Sequence, residues 1–164
     1  MTAVPEPLAA PDPAAALAAM PIRARVVVAS NRASAGVYED TSGPLIADRL
    51  TELGCAVDEP VVVPDGDPVA DALRAAVADG VDVVVTSGGT GVNPTDRTPE
   101  ATRAVIDYEI PGIAEAVRAY GAPTVPTAIL TRGIAGGRAA PERDRKSTRL
   151  NSSHGYQSRM PSSA

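Results

Sequence analysis

The run Ser87-Gly88-Gly89-Thr90-Gly91 is the first stretch of this 164-residue chain whose residue types and spacing could do chemistry. Glycines at 88, 89 and 91 permit backbone dihedrals that turn successive N–H groups towards one point. Such a nest binds an anion, typically a phosphate. Ser87 and Thr90 add hydroxyl donors without adding charge. Alone, the same glycines could simply make a tight turn. The run is not a Walker loop, because no Gly-Lys-Ser/Thr follows. It is a poor dinucleotide fingerprint, because Pro94 stands where G-x-G-x-x-G needs its third glycine. Two acids sharpen the reading. Asp65 and Asp96 fall in polar loops that should lie at the same edge as the glycines. Carboxylates beside a phosphate repel it unless a cation intervenes. The usual solution is Mg²⁺, held jointly by carboxylates and phosphate oxygens. Asp96 also suits a plain turn. Asp67, followed by Pro68, reads as a helix cap, and Asp40 as part of an ordinary pre-helix loop.

The elements that must position these residues follow from hydrophobic pattern and punctuation. Arg25 to Ser30 (RVVVAS) has the shape of a buried strand. Ser42-Gly-Pro opens a helix capped by Ser42, with Leu45, Ile46, Leu50 and Leu53 on one face and Gly54 as its stop. A second strand lies within Cys55 to Val63, chiefly Val61 to Val63. A helix then starts at Asp67-Pro68, carries Val69, Leu73, Ala76 and Val77 as its stripe, and closes at Gly80. Val81 to Thr86 is a third strand. Thr98-Pro99-Glu100 opens another helix with an acid in its first turn. Asp107 to Pro111 breaks it. Ile113 to Tyr120 is a shorter helix stopped by Gly121, and Thr127 to Thr131 a fourth strand. Strands alternating with helices predict a three-layer α/β/α fold with a mainly parallel sheet. Ligands of such folds bind beyond the carboxyl ends of the strands. The segments to watch are therefore Ser30 to Gly36, Pro64 to Asp67, Ser87 to Asp96, and Thr131-Arg132.

Composition bounds the rest. Aromatic residues are only 2 %, with no Phe and no Trp, so the core must be built from Val, Ile, Leu and Ala. The net charge is −5 and no basic block stands out, which argues against nucleic acid as a partner. The single cysteine, Cys55, excludes an internal disulfide and a Cys-based zinc cluster. No apolar run approaches the roughly 20 residues of a membrane span, and the N-terminus lacks a signal-peptide pattern, so the expected location is the cytoplasm. Residues 1–22 are an Ala/Pro-rich leader expected to be disordered. Residues 23–143 form the domain. Residues 144–164 hold the sole Lys and His of the chain, Lys146 and His154. Their string DRKSTRLNSSH resembles a translated library adapter, so they are read as a non-native tail and His154 is given no catalytic role.

Five segments together, SNRASAGVYEDTSGP, VVPDGD, TSGGTGVNPTDRTPEAT, YEIPGIAEAVR and PTAILTRGIAG, resemble the MogA/MoaB family of molybdenum-cofactor biosynthesis, the molybdopterin adenylyltransferases. The resemblance spans about Arg25 to Gly137. It implies the molybdopterin-binding α/β fold and a homotrimer. It also implies transfer of AMP from Mg-ATP to the terminal phosphate of molybdopterin with release of pyrophosphate. The product would pass to a later molybdenum-insertion protein. Matched by motif, Asp65 and Asp96 are the essential acids and the expected Mg²⁺ ligands, and Ser87, Gly88, Gly89, Thr90 and Gly91 the pterin/phosphate loop. Thr98 and Glu100 follow in the same motif, and Glu109, Pro111, Gly112, Glu115 and Arg118 in the E-I-P-G segment. Arg32 and Arg132 are candidates to compensate phosphate charge. The alternatives are a non-catalytic MoaB-type pterin-binding or assembly protein and a CinA-like nucleotide hydrolase. The hydrolase group favours G-G-L-G-P-T-x-D-D, whereas this chain reads Gly-Gly-Thr-Gly-Val-Asn-Pro-Thr-Asp-Arg. The family pattern continues past the Ala-Gly segment into a last strand and helix that this sequence lacks. On that reading the chain is expected to be poorly stable and inactive as written.

Overall fold

The computed structural model describes residues 21–139. The proposed tail, and the proposed leader apart from Pro21 and Ile22, lie outside the described residues. Strand β1 (Arg23–Ala29) is the centre of the fold. Ala24, Val26 and Val27 are fully buried, and Val28 and Ala29 nearly so. Consecutive rather than alternating burial means that both faces of the strand are covered, which is what a continuous Val run requires. Strands β2 (Ala56–Val57) and β3 (Val61–Val63) both pair with β1 in parallel. Strand β4 (Val83–Ser87) also pairs with β1 in parallel. Ala24 faces both Val57 and Val83, and Val27 both Val61 and Thr86. Hence β2 and β3 succeed one another along one edge of β1, and β4 takes the other.

Helices occupy both faces. On one, Val27 and Ala29 pack with Val69, Ala70 and Leu73 of α3 (Asp67–Ala78) and Ala101 of α4 (Thr98–Arg103). These β1 positions are two apart, as one face of a strand demands. The opposite face meets α2 (Ser42–Glu52), where Val28 lies so close to Gly43 that a Cβ there would sit 3.1 Å from the valine methyl. A one-turn helix, α1 (Asn31–Ser34), follows β1 directly. The three-layer parallel architecture expected from sequence is present. Beyond it, α5 (Pro111–Gly121) has no buried residue, and Ile113, Val117 and Tyr120 leave it exposed.

Several local expectations need correction. Thr127 to Thr131 is not a strand: Pro126–Leu130 is a 3₁₀ helix. A short apolar run does not distinguish the two by periodicity, and Pro126 suits a helical first turn. The break at Asp107 to Pro111 contains a strand, β5 (Tyr108–Glu109), which pairs antiparallel with β6 (Gly136–Gly137). Gly121 is the last residue of α5, where the sequence put its end. Neither assigned cap acts as one. Asp67 is the first residue of α3, behind Gly66 at φ 93°. Ser42 is the first residue of α2, and it is Asp40 whose carboxylate accepts from the Ser42 and Gly43 N–H groups at 3.0 and 2.9 Å.

Candidate functional site

The register fixes where the loops emerge. Val28 is opposite Ser87 and Ala29 opposite Val63, so β1, β3 and β4 end together. The segments after Ala29, Val63 and Ser87 therefore leave the sheet at one edge, its carboxyl edge. Cross-links tie them. Ser30 donates its backbone N–H to Val63 O at 2.9 Å. The Asn31 side chain accepts from Asp65 N at 3.1 Å. Ser87 Oγ reaches Ser42 Oγ at 3.4 Å, and Ser42 in turn donates to Asp40 at 2.8 Å.

The glycine loop adopts the backbone its composition demands. Gly88 and Gly89 have φ of 91° and 60°, where a side chain is strained. Space is the second constraint. A Cβ on Gly88 would collide with the Ala29 carbonyl oxygen. One on Gly89 would collide with the Asp65 carboxylate and the Thr98 hydroxyl, and one on Gly91 would lie 2.7 Å from Asp96 Oδ2. Each acid thus stands against one glycine of the loop.

The hydrogen bonds of the loop are one-sided. Its three central carbonyls are occupied: Gly89 O accepts from Thr98 N at 3.0 Å and Thr90 O from Arg132 N at 2.7 Å. Gly91 O accepts from Arg132 Nε at 2.7 Å. Its N–H groups, from Gly88 to Val92, find no acceptor among the described residues. Backbone donors are obligatory hydrogen-bonding groups, so this run of free donors is the feature that can take up an anion.

The acids are half-spent. Asp65 Oδ1 accepts from Gly66 N at 2.9 Å and Arg97 N at 3.1 Å, which leaves Oδ2 free among the described residues. Asp96 Oδ2 accepts from Asn93 N at 3.1 Å, which leaves Oδ1 free. Thr98 is buried, and its hydroxyl has no partner. Arg132 holds Glu100 at 2.5 Å and also donates to the Asp96 carbonyl. The Arg132 guanidinium, reinforced by the Glu100 backbone, lowers the Glu100 carboxyl below its ordinary range. Thr90 Oγ1 meets Thr131 Oγ1 at 3.0 Å.

Of the residues singled out from sequence, those of the E-I-P-G segment and Arg32 do not join this cluster; Arg118 donates to Gly133 O at 3.2 Å. Arg32 stacks on the Tyr38 ring, 5.2 Å from its centroid, and Glu109 pairs with Arg103 at 2.7 Å. Neither touches the loop. Asn31 and Thr131 fell in the segments expected at this edge, but sequence reasoning gave neither a role. Asn31 follows Ser30 and Thr131 follows Leu130, each just beyond an apolar run. Two cavities lie near these residues. One of about 490 Å³ lies between α3 and α4, lined by Asp67, Asp71, Glu100, Arg74 and Arg97. Its acids outnumber its arginines, so it is a poor anion site. A second, of about 440 Å³, adjoins Asp96, Glu100 and Arg132. The chemistry of the loop, not cavity size, marks the site.

A parallel α/β domain with a glycine-rich loop beyond its strand ends defines the class. Residues 25–145 match the family described as "Probable molybdopterin binding domain", and the chain belongs to that family. It is 41 % identical over 115 residues to a molybdopterin adenylyltransferase of Haemophilus influenzae, covering 66 % of this chain and 57 % of the relative. A solved structure titled "anomalous substructure of MogA" is 56 % identical with a TM-score of 0.69, over 71 % of this chain and 77 % of that one. The Mog protein from Mycobacterium ulcerans is 50 % identical with a TM-score of 0.67, over 71 % and 76 %. Among the curated relatives that it matches, the chain spans 36 % of one from Synechococcus elongatus and 60 % of one from Escherichia coli.

Proposed function

We propose that the chain acts in molybdenum-cofactor biosynthesis as a molybdopterin adenylyltransferase, moving AMP from Mg-ATP to the terminal phosphate of molybdopterin. The observation that carries this reading is the one-sided loop, whose free N–H groups from Gly88 to Val92 suit a phosphate monoester. In the reaction an oxygen of the pterin phosphate forms a bond to the α-phosphorus of ATP. The bond from that phosphorus to the α,β-bridging oxygen breaks, and pyrophosphate leaves. The attacking phosphate is already anionic at neutral pH, so no strong base is required, which suits a body without Lys or His between residues 23 and 140. What the chain must supply is orientation and compensation of charge.

The loop N–H groups would hold the pterin phosphate without adding a charge that must be desolvated. Among the described residues no group of three His, Cys, Asp or Glu could hold a metal alone. A cation here would share its coordination with substrate phosphates, as Mg²⁺ does. The free Oδ2 of Asp65 and Oδ1 of Asp96 fit that role. When bound, Mg²⁺ would neutralise the phosphate oxygens and the charge on departing pyrophosphate. Two carboxylates held this way favour a catalyst over a pure pterin binder. The exposed Ile113, Val117 and Tyr120 on α5 support self-association, because apolar surface of this kind is commonly covered by assembly; the resemblance implies that the assembly is a homotrimer. No helix of the described residues is long and apolar enough to cross a membrane. The reading implies a later molybdenum-insertion protein as recipient of the product, and the cytoplasm as the place of transfer.

The test is AMP transfer from Mg-ATP to molybdopterin, with the C-terminal segment of the Haemophilus influenzae relative grafted after Gly137. We expect transfer by the graft and its loss in Asp96→Asn, with pterin binding largely retained. No transfer by the graft overturns the reading. Unchanged turnover in Asp96→Asn removes Asp96 from the mechanism.

A further inference from the structure

Arg132 was expected to meet substrate phosphate by its charge. The structure gives its guanidinium different work. Nε donates to Gly91 O, Nη1 to Glu100, and Nη2 to the Asp96 carbonyl. Its own backbone N–H donates to Thr90 O. Four contacts from one residue thus reach both ends of the segment from Thr90 to Glu100, which contains Asp96. Thr131 adds a fifth through the Thr90 hydroxyl. All the loop groups so held are carbonyls and one hydroxyl; none is an N–H.

The consequence is directional. A peptide unit whose carbonyl is fixed on one side presents its N–H on the other. The carbonyls of Thr90 and Gly91 belong to the peptide units that carry the N–H groups of Gly91 and Val92. The guanidinium at Gly91 O also polarises that unit and strengthens the Val92 donor opposite. We infer that Arg132 is a positioning residue. It fixes the anion-accepting face of the 88–92 loop, and the placement of Asp96, by gripping the opposite, carbonyl face, and it is not itself a phosphate ligand. Lysine cannot replace it, because one ammonium lacks the planar fork that reaches two separated carbonyls and a carboxylate. This inference rests on the reading of the loop as a phosphate site.

The experiment measures inorganic pyrophosphate binding to the full 164-residue chain through the backbone amide resonances of Gly88 to Val92, alongside thermal melting. In the parent chain pyrophosphate should shift those resonances. Arg132→Lys keeps the charge but should lose affinity by about tenfold or more, as much as Arg132→Ala, because two or more charge-assisted bonds are broken in both. The Gly91 and Val92 resonances should also move in the variant before pyrophosphate is added. Affinity retained in Arg132→Lys and lost in Arg132→Ala would make Arg132 a charge ligand and overturn the inference. If Arg132→Lys does not fold, Glu100→Gln decides. It takes the charge from the anchor that holds Nη1 from outside the loop, and it should weaken pyrophosphate a few-fold while displacing the unliganded Gly91 and Val92 resonances. Unmoved resonances there also overturn the inference. No pyrophosphate response in the parent chain strikes the phosphate reading of the loop instead.

Discussion

Two arginines, one at each end of the same sheet, use the same fork for opposite purposes. At the amino edge, Arg25 of β1 bonds Asp58 through Nε at 3.3 Å and Nη2 at 2.8 Å, and Asp79 through Nη1 at 2.8 Å. Its side chain is only 15 % exposed, and Asp58 first, then Asp79, raise its pKa still further. Its partners are carboxylates beside β2 and at the end of α3, so it ties the sheet to a helix. At the carboxyl edge, Arg132 bonds mostly to backbone carbonyls of a loop. Carboxylate pairing joins side chain to side chain and orients no peptide unit. Carbonyl pairing leaves the N–H half of each peptide unit available. The difference teaches that a saturated guanidinium marks stability when its partners are side chains. It can mark function when its partners are one face of a loop.

The comparison breaks most readily at Gly89. Alanine there must adopt φ near 60° and would drive its methyl into the Asp65 carboxylate and the Thr98 hydroxyl. The backbone strain alone costs about 1–2 kcal/mol. We expect Gly89→Ala to lose pyrophosphate binding altogether and to lower the melting temperature. Gly36→Ala is the control: it has φ 71° but nothing within 4 Å of a new Cβ, so it should show strain without loss of binding. Equal binding in both variants contradicts the crowding argument.

Next in size is Arg25→Ala. It removes charge-assisted bonds whose acidic partners are themselves part-exposed, and should destabilise by about 1–2 kcal/mol. Denaturant titration measures that loss. Pyrophosphate affinity should not change, because Arg25 touches nothing at the carboxyl edge. A parallel fall in affinity would mean that the two edges are coupled.

The smallest effect is a pH dependence. The Glu100 carboxyl is lowered below its ordinary value, foremost by its hydrogen bond from Arg132. A lowered acid contributes its full interaction above the unfolded pKa and loses it as pH falls through the folded one. The grip on Glu100 is therefore intact at neutral pH and released only in acid. The Gly91 and Val92 amide resonances should show a transition below pH 4.5 that Glu100→Gln lacks. A Glu100-dependent transition above that value would contradict the pairing.

Much of this was legible in the residues, and the exceptions have physical causes. Consecutive valines in β1 announced a strand covered on both faces, and Gly88 and Gly89 announced positive φ. The convergence of loops after Ala29, Val63 and Ser87 followed from a parallel sheet. Thr127 to Thr131 misled because a short apolar segment carries no periodicity of its own, and local bonds such as Ala128 N to Val125 O won. Asp67 misled because Gly66, with its positive φ, took the place a capping side chain would hold. Arg132 was visible as a charge beside the site. Its partners are backbone carbonyls, and no residue letter encodes where a carbonyl points. The β5–β6 pairing was invisible because Gly136 and Gly137 offer no side chains to form a pattern.

The most direct test of the account is a crystal structure of the chain soaked with inorganic pyrophosphate. The expected result is a phosphate within hydrogen-bond distance of the N–H groups between Gly88 and Val92, with Arg132 still bound to the Gly91 and Asp96 carbonyls. A phosphate seated instead between Arg74 and Arg97, in the cavity between α3 and α4, would contradict it.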